Sequence, residues 1–130
     1  MKIVLVLIFL CGVWSRNVPL NIFDIWLKIS SPYNEDCSAK ANVPTDYTND
    51  FILSANLPDE LKFKMFLVCM YEKLEFFLKD GEFDKKAIME KASYMTDELT
   101  TNCINKAIKE QDRLNKSYIV ALCITDGLAV

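Results

Sequence analysis

Apolar residues recur at intervals of three and four positions along most of the chain, which is the spacing of amphipathic helices. The first such segment ends at Ser31-Pro32 and contains Leu20, Phe23, Trp26 and Leu27. A second helix is predicted from Asn34, a good N-cap residue, to about Ala41, and Asn42 suits a left-handed helix end. Because no stretch alternates convincingly between apolar and polar residues, the pattern predicts an all-α fold.

A longer helix is predicted from Pro58 to about Lys79, with its end at Asp80-Gly81. One apolar stripe on this helix consists of Phe63, Phe66, Leu67, Met70, Leu74, Phe77 and Leu78. A second strip on another side consists of Met65, Cys69 and Phe76. A helix that is apolar on two sides is expected to lie at the centre of a fold. Core packing is the better explanation for any single residue, but a ligand cavity would use the same residue types.

Shorter helices are predicted around the long one. Thr45 suits the cap of a short helix that carries Tyr47, Phe51, Ile52 and Leu53. Asp84 is the predicted cap of the helix after the long one, and a break with a second cap at Thr96 divides that segment in two. The last helix is expected to start near Asp112.

Composition narrows the function classes. The 130 residues suffice for one domain, and the net charge of −3 without a basic block argues against nucleic acid as the main partner. Histidine is absent, which removes His-activated nucleophiles and His-ligated zinc sites. The acidic pairs Asp59-Glu60 and Asp97-Glu98 suit the first turns of helices better than catalysis. We therefore expect no enzyme, no metal and no cofactor.

The first residues resemble a secretory signal peptide. A short positive start precedes Ile3 to Trp14, an uncharged segment that is too short to span a membrane. Residues 1–15 are the predicted signal peptide, and residues 16–130 are the predicted mature domain, which starts near Arg16. No second long apolar run follows, so we expect a secreted, extracellular protein without stable membrane insertion.

Four cysteines remain after the predicted signal peptide, which takes Cys11 with it. An even number in a short secreted chain predicts two disulfides among Cys37, Cys69, Cys103 and Cys123. The count alone leaves all three pairings open. A zinc site is a poor alternative because no pair has short metal-ligand spacing, and a reactive thiol lacks an activating base.

The cysteine spacing resembles that of the insect odorant-binding proteins of the pheromone and general odorant-binding group. That family has six cysteines, and the four here fit the first, third, fourth and sixth. Met65 and Leu114 stand at the second and fifth positions. Local agreement extends to Leu57-Pro58-Asp59, Asp80-Gly81-Glu82-Phe83-Asp84 and Asp112-Arg113-Leu114. Since the second and fifth cysteines bond each other in the family, their joint loss is typical of its four-cysteine "minus-C" subgroup.

The resemblance implies a fold and a disulfide pairing. The implied bonds are Cys37–Cys69 and Cys103–Cys123. The implied fold is a compact bundle of about six helices around an apolar cavity. The chain stops shortly after Cys123, so a long tail that enters the cavity as an extra helix is not expected. Leu128 and Val130 remain candidates for a lid across the entrance.

The resemblance also implies a function, the binding and transport of small hydrophobic molecules such as odorants or pheromones. Family positions carried over to this chain put Phe66, Leu67 and Met70 in the cavity wall. Tyr118 is the expected hydrogen-bond donor. The full set of expected ligand-binding residues is Trp26, Phe66, Leu67, Met70, Leu74, Phe77, Met89, Met95, Tyr118, Leu122 and Leu128.

Other functions stay open on the sequence alone. The same fold carries lipids or metabolites in haemolymph, reproductive fluid, saliva or venom, and a secreted helical signalling or defence protein would need no small ligand. A membrane receptor or a weak homodimer stays open as a further partner. Asn115-Lys116-Ser117 is a glycosylation sequon, and an unused match is the favoured interpretation.

Overall fold

The computed structural model describes residues 18–47 and 55–130. Its helices are α1 (Leu20–Ser30), α2 (Asn34–Ala41), α3 (Leu61–Lys73), α4 (Lys85–Lys91), α5 (Asp97–Lys106) and α6 (Arg113–Leu128). A short 3₁₀ turn, Ser31–Tyr33, joins α1 to α2. Within the described ranges the only β-type pairing is one isolated bridge, so this part of the chain is all-α as predicted. The predicted signal peptide and most of the short helix predicted from Thr45 lie outside the described residues.

Side-chain caps begin the last three helices where the sequence predicts them. The side-chain oxygens of Asp84, Thr96 and Asp112 accept hydrogen bonds from backbone N–H groups two or three residues later. These caps satisfy N–H groups that have no partner within the helix. The cap at Thr96 confirms the predicted break between α4 and α5.

The ends of α2 differ in how well they follow the prediction. Asn42 adopts the left-handed conformation at the C-cap, with φ of 56°, as expected. Asn34, however, is the first helical residue, and the N-cap is Tyr33. The side-chain amide of Asn34 donates a hydrogen bond to the carbonyl of Thr45 at 2.8 Å, which links the start of α2 to the loop that follows it.

The long helix is shorter than predicted, because α3 ends at Lys73 and not near Lys79. Two residues after this end, Glu75 has a φ of 60° and turns the backbone out of the helix. The N–H of Phe76 then donates back to the carbonyl of Tyr71 at 3.0 Å, the bond of a Schellman helix end. The helix therefore ends in a left-handed turn at Glu75, a position where glycine is the usual residue.

A tight reversal follows α3. Phe77 and Phe83 face each other across an isolated antiparallel bridge, with ring centroids 4.7 Å apart. The N–H of Asp84 donates to the carbonyl of Phe76 at 2.7 Å, and Gly81 supplies the positive φ of 90° that the turn requires. Backbone bonds and aromatic contact thus replace the last predicted turns of the helix.

The core is arranged around α3. Phe66 and Met70 belong to the largest buried cluster, and Phe63 and Leu67 belong to a second one beside α6. A third cluster near the start of α1 consists of Val18, Ile22, Phe23 and Ala55. Since α3 contributes to two clusters, it is the central helix, as its two apolar sides predict.

Two disulfides fix the helices that flank α3. Cys37–Cys69 joins α2 to α3, and Cys103–Cys123 joins α5 to α6, each with Cα atoms 5.5 Å apart. These are the pairs that the family resemblance implies. Both ends of each bond are buried, so the bonds cross the core and hold two helix pairs in register.

Candidate ligand-binding cavity

A cavity of about 150 Å³ lies inside the described part of the molecule. Side chains from α1, α3, α4 and α6 line it, together with residues of the turns that follow α3 and α4. None of the described residues in its wall carries a charged side chain. A dry apolar cavity of this size accommodates a molecule about as large as benzene without rearrangement.

The central helix supplies one wall. Phe63, Phe66, Leu67 and Met70 recur at helical spacing, so they present one continuous face of α3 to the cavity. All four side chains are buried. Three rotatable bonds let the Met70 side chain adopt different shapes, whereas the two phenyl rings offer fixed apolar faces.

A second part of the wall depends on one contact between distant segments. Trp26 on α1 and Tyr94 in the turn between α4 and α5 both line the cavity, and the indole N–H donates a hydrogen bond to the tyrosine hydroxyl. The two rings meet edge to face, with centroids 6.4 Å apart. Met95, which follows Tyr94, is buried in the same wall.

Two of the hydroxyl groups in the wall have partners within their own helices. Ser30 Oγ donates to the carbonyl of Trp26 at 2.7 Å, and Thr125 Oγ1 donates to the carbonyl of Ala121 at 2.8 Å. Both are bonds to the preceding helical turn, so their protons are already committed. These groups therefore add little polarity to the cavity.

Two phenols remain in the wall, those of Tyr71 and Tyr94. Burial raises the pKa of both above the ordinary value for tyrosine. Tyr94 also raises the pKa of Tyr71 electrostatically, and the bond from Trp26 lowers the pKa of Tyr94 in part. Both side chains are consequently neutral hydrogen-bond donors at physiological pH.

The family of the chain follows from its match to a protein-family model. The model of the PBP/GOBP family matches residues 27–126, which is most of the chain. The chain belongs to the PBP/GOBP family. No curated protein matches the chain. Proteins of this family are carriers of small hydrophobic ligands and not enzymes.

Several of the residues expected to bind ligand border the cavity in this PBP/GOBP protein. They are Trp26, Phe66, Leu67, Met70, Leu74 and Met95. The other expected residues, Phe77, Met89, Tyr118, Leu122 and Leu128, do not border it. The first group comes from the α3 stripe and from the two segments that face it.

Phe77 is absent from the wall because α3 ends before it. Its ring packs on Phe83 and Tyr71, and the Arg113 guanidinium lies 4.4 Å from the ring centroid. Met89 is half-buried on α4 against the largest core cluster, and Ile88 beside it faces the cavity. The reversal after α3 therefore gives Phe77 a packing role.

Tyr118 lies behind the cavity wall. Its hydroxyl donates to the carbonyl of Leu57 at 2.9 Å, and its ring meets Phe63 edge to face. Because Leu57 and Phe63 themselves line the cavity, Tyr118 supports the wall that it was expected to form. Leu122 is half-buried outside the cavity, since α6 turns its neighbour Ala121 inward.

The C-terminal residues lie elsewhere. Leu128 is half-buried against the cluster of Val18, Ile22 and Phe23. Val130 is 87% exposed. Neither residue borders the cavity, so in this structure the end of α6 packs beside the start of α1 and does not lie across the cavity.

Sequence reasoning missed Tyr71, Tyr94 and Ile124, which all border the cavity. Tyr71 directly follows Met70, so its place beside the α3 stripe was a usable signal. Tyr94 lies in the break between two helices, where periodicity gives no direction for a side chain. Its position depends on the contact with Trp26, which sequence spacing does not show.

Across residues 18–47 and 55–130, no group of three or more His, Cys, Asp or Glu side chains is placed to hold a metal ion. In these ranges no helix has the length and apolar character needed to traverse a bilayer.

Proposed function

We propose that this PBP/GOBP protein is a secreted carrier that holds one small hydrophobic molecule, an odorant or a pheromone, in the cavity beside α3. The observation that carries the proposal is the wall itself, in which uncharged and largely apolar side chains surround about 150 Å³. Family membership supports the carrier function, and the predicted signal peptide supports secretion.

Burial of the cargo is the proposed binding mechanism. Apolar surface that leaves water contributes about 25 cal/mol per Å², and a preformed cavity spares the cost of opening space among packed side chains. No covalent step is needed, since the cargo is released unchanged. The two disulfides support this role because one holds α3 to α2 and the other holds α6 to α5, and both α3 and α6 line the cavity.

Isothermal titration calorimetry with isopropylbenzene, a one-ring apolar probe, tests the proposal. The purified mature protein should bind this probe. Met70→Trp should abolish probe binding, because the larger side chain would fill the cavity that Met70 lines. Its helical circular dichroism should remain close to that of the wild type.

Met65→Trp is the matched control. It is the same substitution on the same helix, but Met65 is 39% exposed and does not border the cavity. This variant should bind the probe as the wild type does. Equal affinity in wild type and Met70→Trp would contradict the proposal, since it would mean that the α3 face serves only as core.

A further inference from the structure

We propose that Tyr71 and Tyr94 form a donor subsite in the cavity, which favours neutral ligands with an acceptor oxygen, such as ketones, aldehydes and esters. The inference rests on the proposed carrier function and specifies the ligand class. Its basis is the set of polar atoms in the wall and the direction in which each is already bonded.

Among the described residues of the wall, two hydroxyl groups keep a proton that they can donate to a ligand. The hydroxyl protons of Ser30 and Thr125 and the indole proton of Trp26 are all given to protein acceptors. Tyr94 accepts the indole proton, which leaves its own O–H proton uncommitted among the described residues. No acceptor for the Tyr71 hydroxyl occurs in the described ranges either, and this phenol is held among the rings of Phe76, Phe77 and Phe83.

The two phenols are neighbours within the cavity. Both border it, and they are close enough for Tyr94 to affect the ionisation of Tyr71. A buried donor without a partner is costly, so a ligand that brings an acceptor to these phenols gains more than a hydrocarbon of the same shape.

The cavity is unfavourable for ionised ligands. None of the described lining side chains carries a positive charge to pair with a carboxylate. An ionised ligand would lose its hydration without compensation, which is far more costly than the loss of a neutral polar contact. The favoured cargo is therefore neutral, about the size of one substituted ring, and carries one acceptor oxygen.

Three ring compounds of equal heavy-atom count separate these requirements: acetophenone, isopropylbenzene and benzoate. Their affinities are measured by isothermal titration calorimetry at neutral pH, in wild type, Tyr71→Phe, Tyr94→Phe and the double variant. Tyr71→Phe keeps the contact between Trp26 and Tyr94, so it tests one donor without disturbing that contact. Tyr33→Phe, outside the cavity, is the control for loss of a tyrosine hydroxyl.

The expected result is a change for one ligand only. Acetophenone affinity should fall about five- to tenfold in the double variant, whereas isopropylbenzene affinity should stay within about twofold of wild type. Benzoate should bind wild type at least about a hundredfold more weakly than acetophenone. Tyr33→Phe should match the wild type for all three compounds.

Infrared spectroscopy gives an independent readout. The carbonyl stretch of bound acetophenone should lie at lower wavenumber in wild type than in the double variant, because a donated hydrogen bond weakens the carbonyl bond. Equal affinity losses for acetophenone and isopropylbenzene, or an unshifted stretch, would overturn the subsite and leave the carrier function standing. If the wild type binds neither acetophenone nor isopropylbenzene, both the subsite and the carrier function are overturned.

Discussion

Lys116 and Glu82 form an ion pair of 2.9 Å between the start of α6 and the reversal that follows α3. The lysine side chain is only 5% exposed, and its ammonium also donates to the carbonyls of Ala107 at 2.8 Å and Glu110 at 3.1 Å. One buried cation therefore ties together three segments next to the cavity-forming helices. Nothing in the local sequence predicts this role, because lysine in a helix is usually exposed.

Replacement of this lysine should be strongly destabilising. Lys116→Met keeps the apolar stem but leaves a buried carbonyl, a partly buried carbonyl and one carboxylate without their partner, so we expect a loss of about 3–5 kcal/mol in the free energy of unfolding. Chemical denaturation in urea measures the loss. The control is Lys85→Met, which removes a more exposed ion pair with Asp97 and should cost less than about 1 kcal/mol. Similar losses for the two variants would contradict the role given to Lys116.

The end of α3 gives a second prediction, in which one substitution stabilises. Glu75 has a φ of 60°, a conformation that glycine adopts without strain. Glu75→Gly should raise the free energy of unfolding by about 0.5–1 kcal/mol. Glu72→Gly, three residues earlier inside α3, should lower it by about 1 kcal/mol. Thermal denaturation would show melting temperatures that move in opposite directions, and a decrease for both variants would disprove the explanation of the helix end.

The sequence predicts α3 and its inward face, but it does not predict where this helix ends. Helical spacing identifies α3 and its inward face, since Phe66, Leu67 and Met70 follow directly from a period of 3.6 residues. The end of the helix depends on Glu75 in a left-handed conformation and on the contact between Phe77 and Phe83, which are tertiary features. Local signals favoured Asp80-Gly81 instead, because glycine is the usual residue at such an end.

The face of α6 that lines the cavity is also hard to predict from the sequence. Periodicity gives the helix and its cap at Asp112, but the rotation of the helix about its axis depends on its packing against α3. Ala121, Ile124 and Thr125 face the cavity, whereas Leu122 does not. The sequence pattern favours a large apolar residue such as Leu122 as a lining residue. A small residue such as Ala121, however, leaves more space in the cavity.

Alkaline titration should reveal the two buried phenols. Burial raises the pKa of Tyr71 and Tyr94 above the ordinary value of 10.0. In the unfolded chain both groups lose their protons near that value, so the folded state binds more protons at higher pH. Their contribution to stability is therefore complete below about pH 10 and is lost as the pH rises further.

Phenolate absorbance and urea denaturation measure this effect together. In the native protein Tyr71 and Tyr94 should keep their protons well above pH 10, and the unfolding free energy should fall above about pH 10. The Tyr71→Phe and Tyr94→Phe double variant should lose two late-ionising phenols and show a smaller decline in the unfolding free energy. Tyr47, whose pKa is also raised by burial and by Glu60, should still ionise late. Simultaneous ionisation of all tyrosines in the native protein would be incompatible with burial of these phenols.

The two positions that align with the second and fifth cysteines of the family pattern are expected to be neighbours. Met65 on α3 and Leu114 on α6 border the same surface groove, together with Val68 and Cys69. We expect their Cβ atoms to lie about 3.5–5 Å apart, the range that a disulfide bridges. Met65 is 39% exposed, so its replacement removes less buried surface than a core methionine would.

The double change Met65→Cys with Leu114→Cys should therefore close a third disulfide without moving the backbone. The new loop of about 50 residues corresponds to roughly 4 kcal/mol in the chain-entropy relation, an upper value because two existing disulfides already restrict the unfolded chain. We expect a net gain of about 1–3 kcal/mol, seen as a higher melting temperature that a reductant abolishes. The Met65→Ser and Leu114→Ser double variant, which resembles the reduced pair in size, should instead be less stable than wild type.

A third bond would also tie α3 to α6 and make expansion of the cavity more costly, so affinities should fall more for large ligands than for small ones. If the cysteine pair stays reduced under mild oxidation, these two positions are not the lost half-cystine sites of the family pattern.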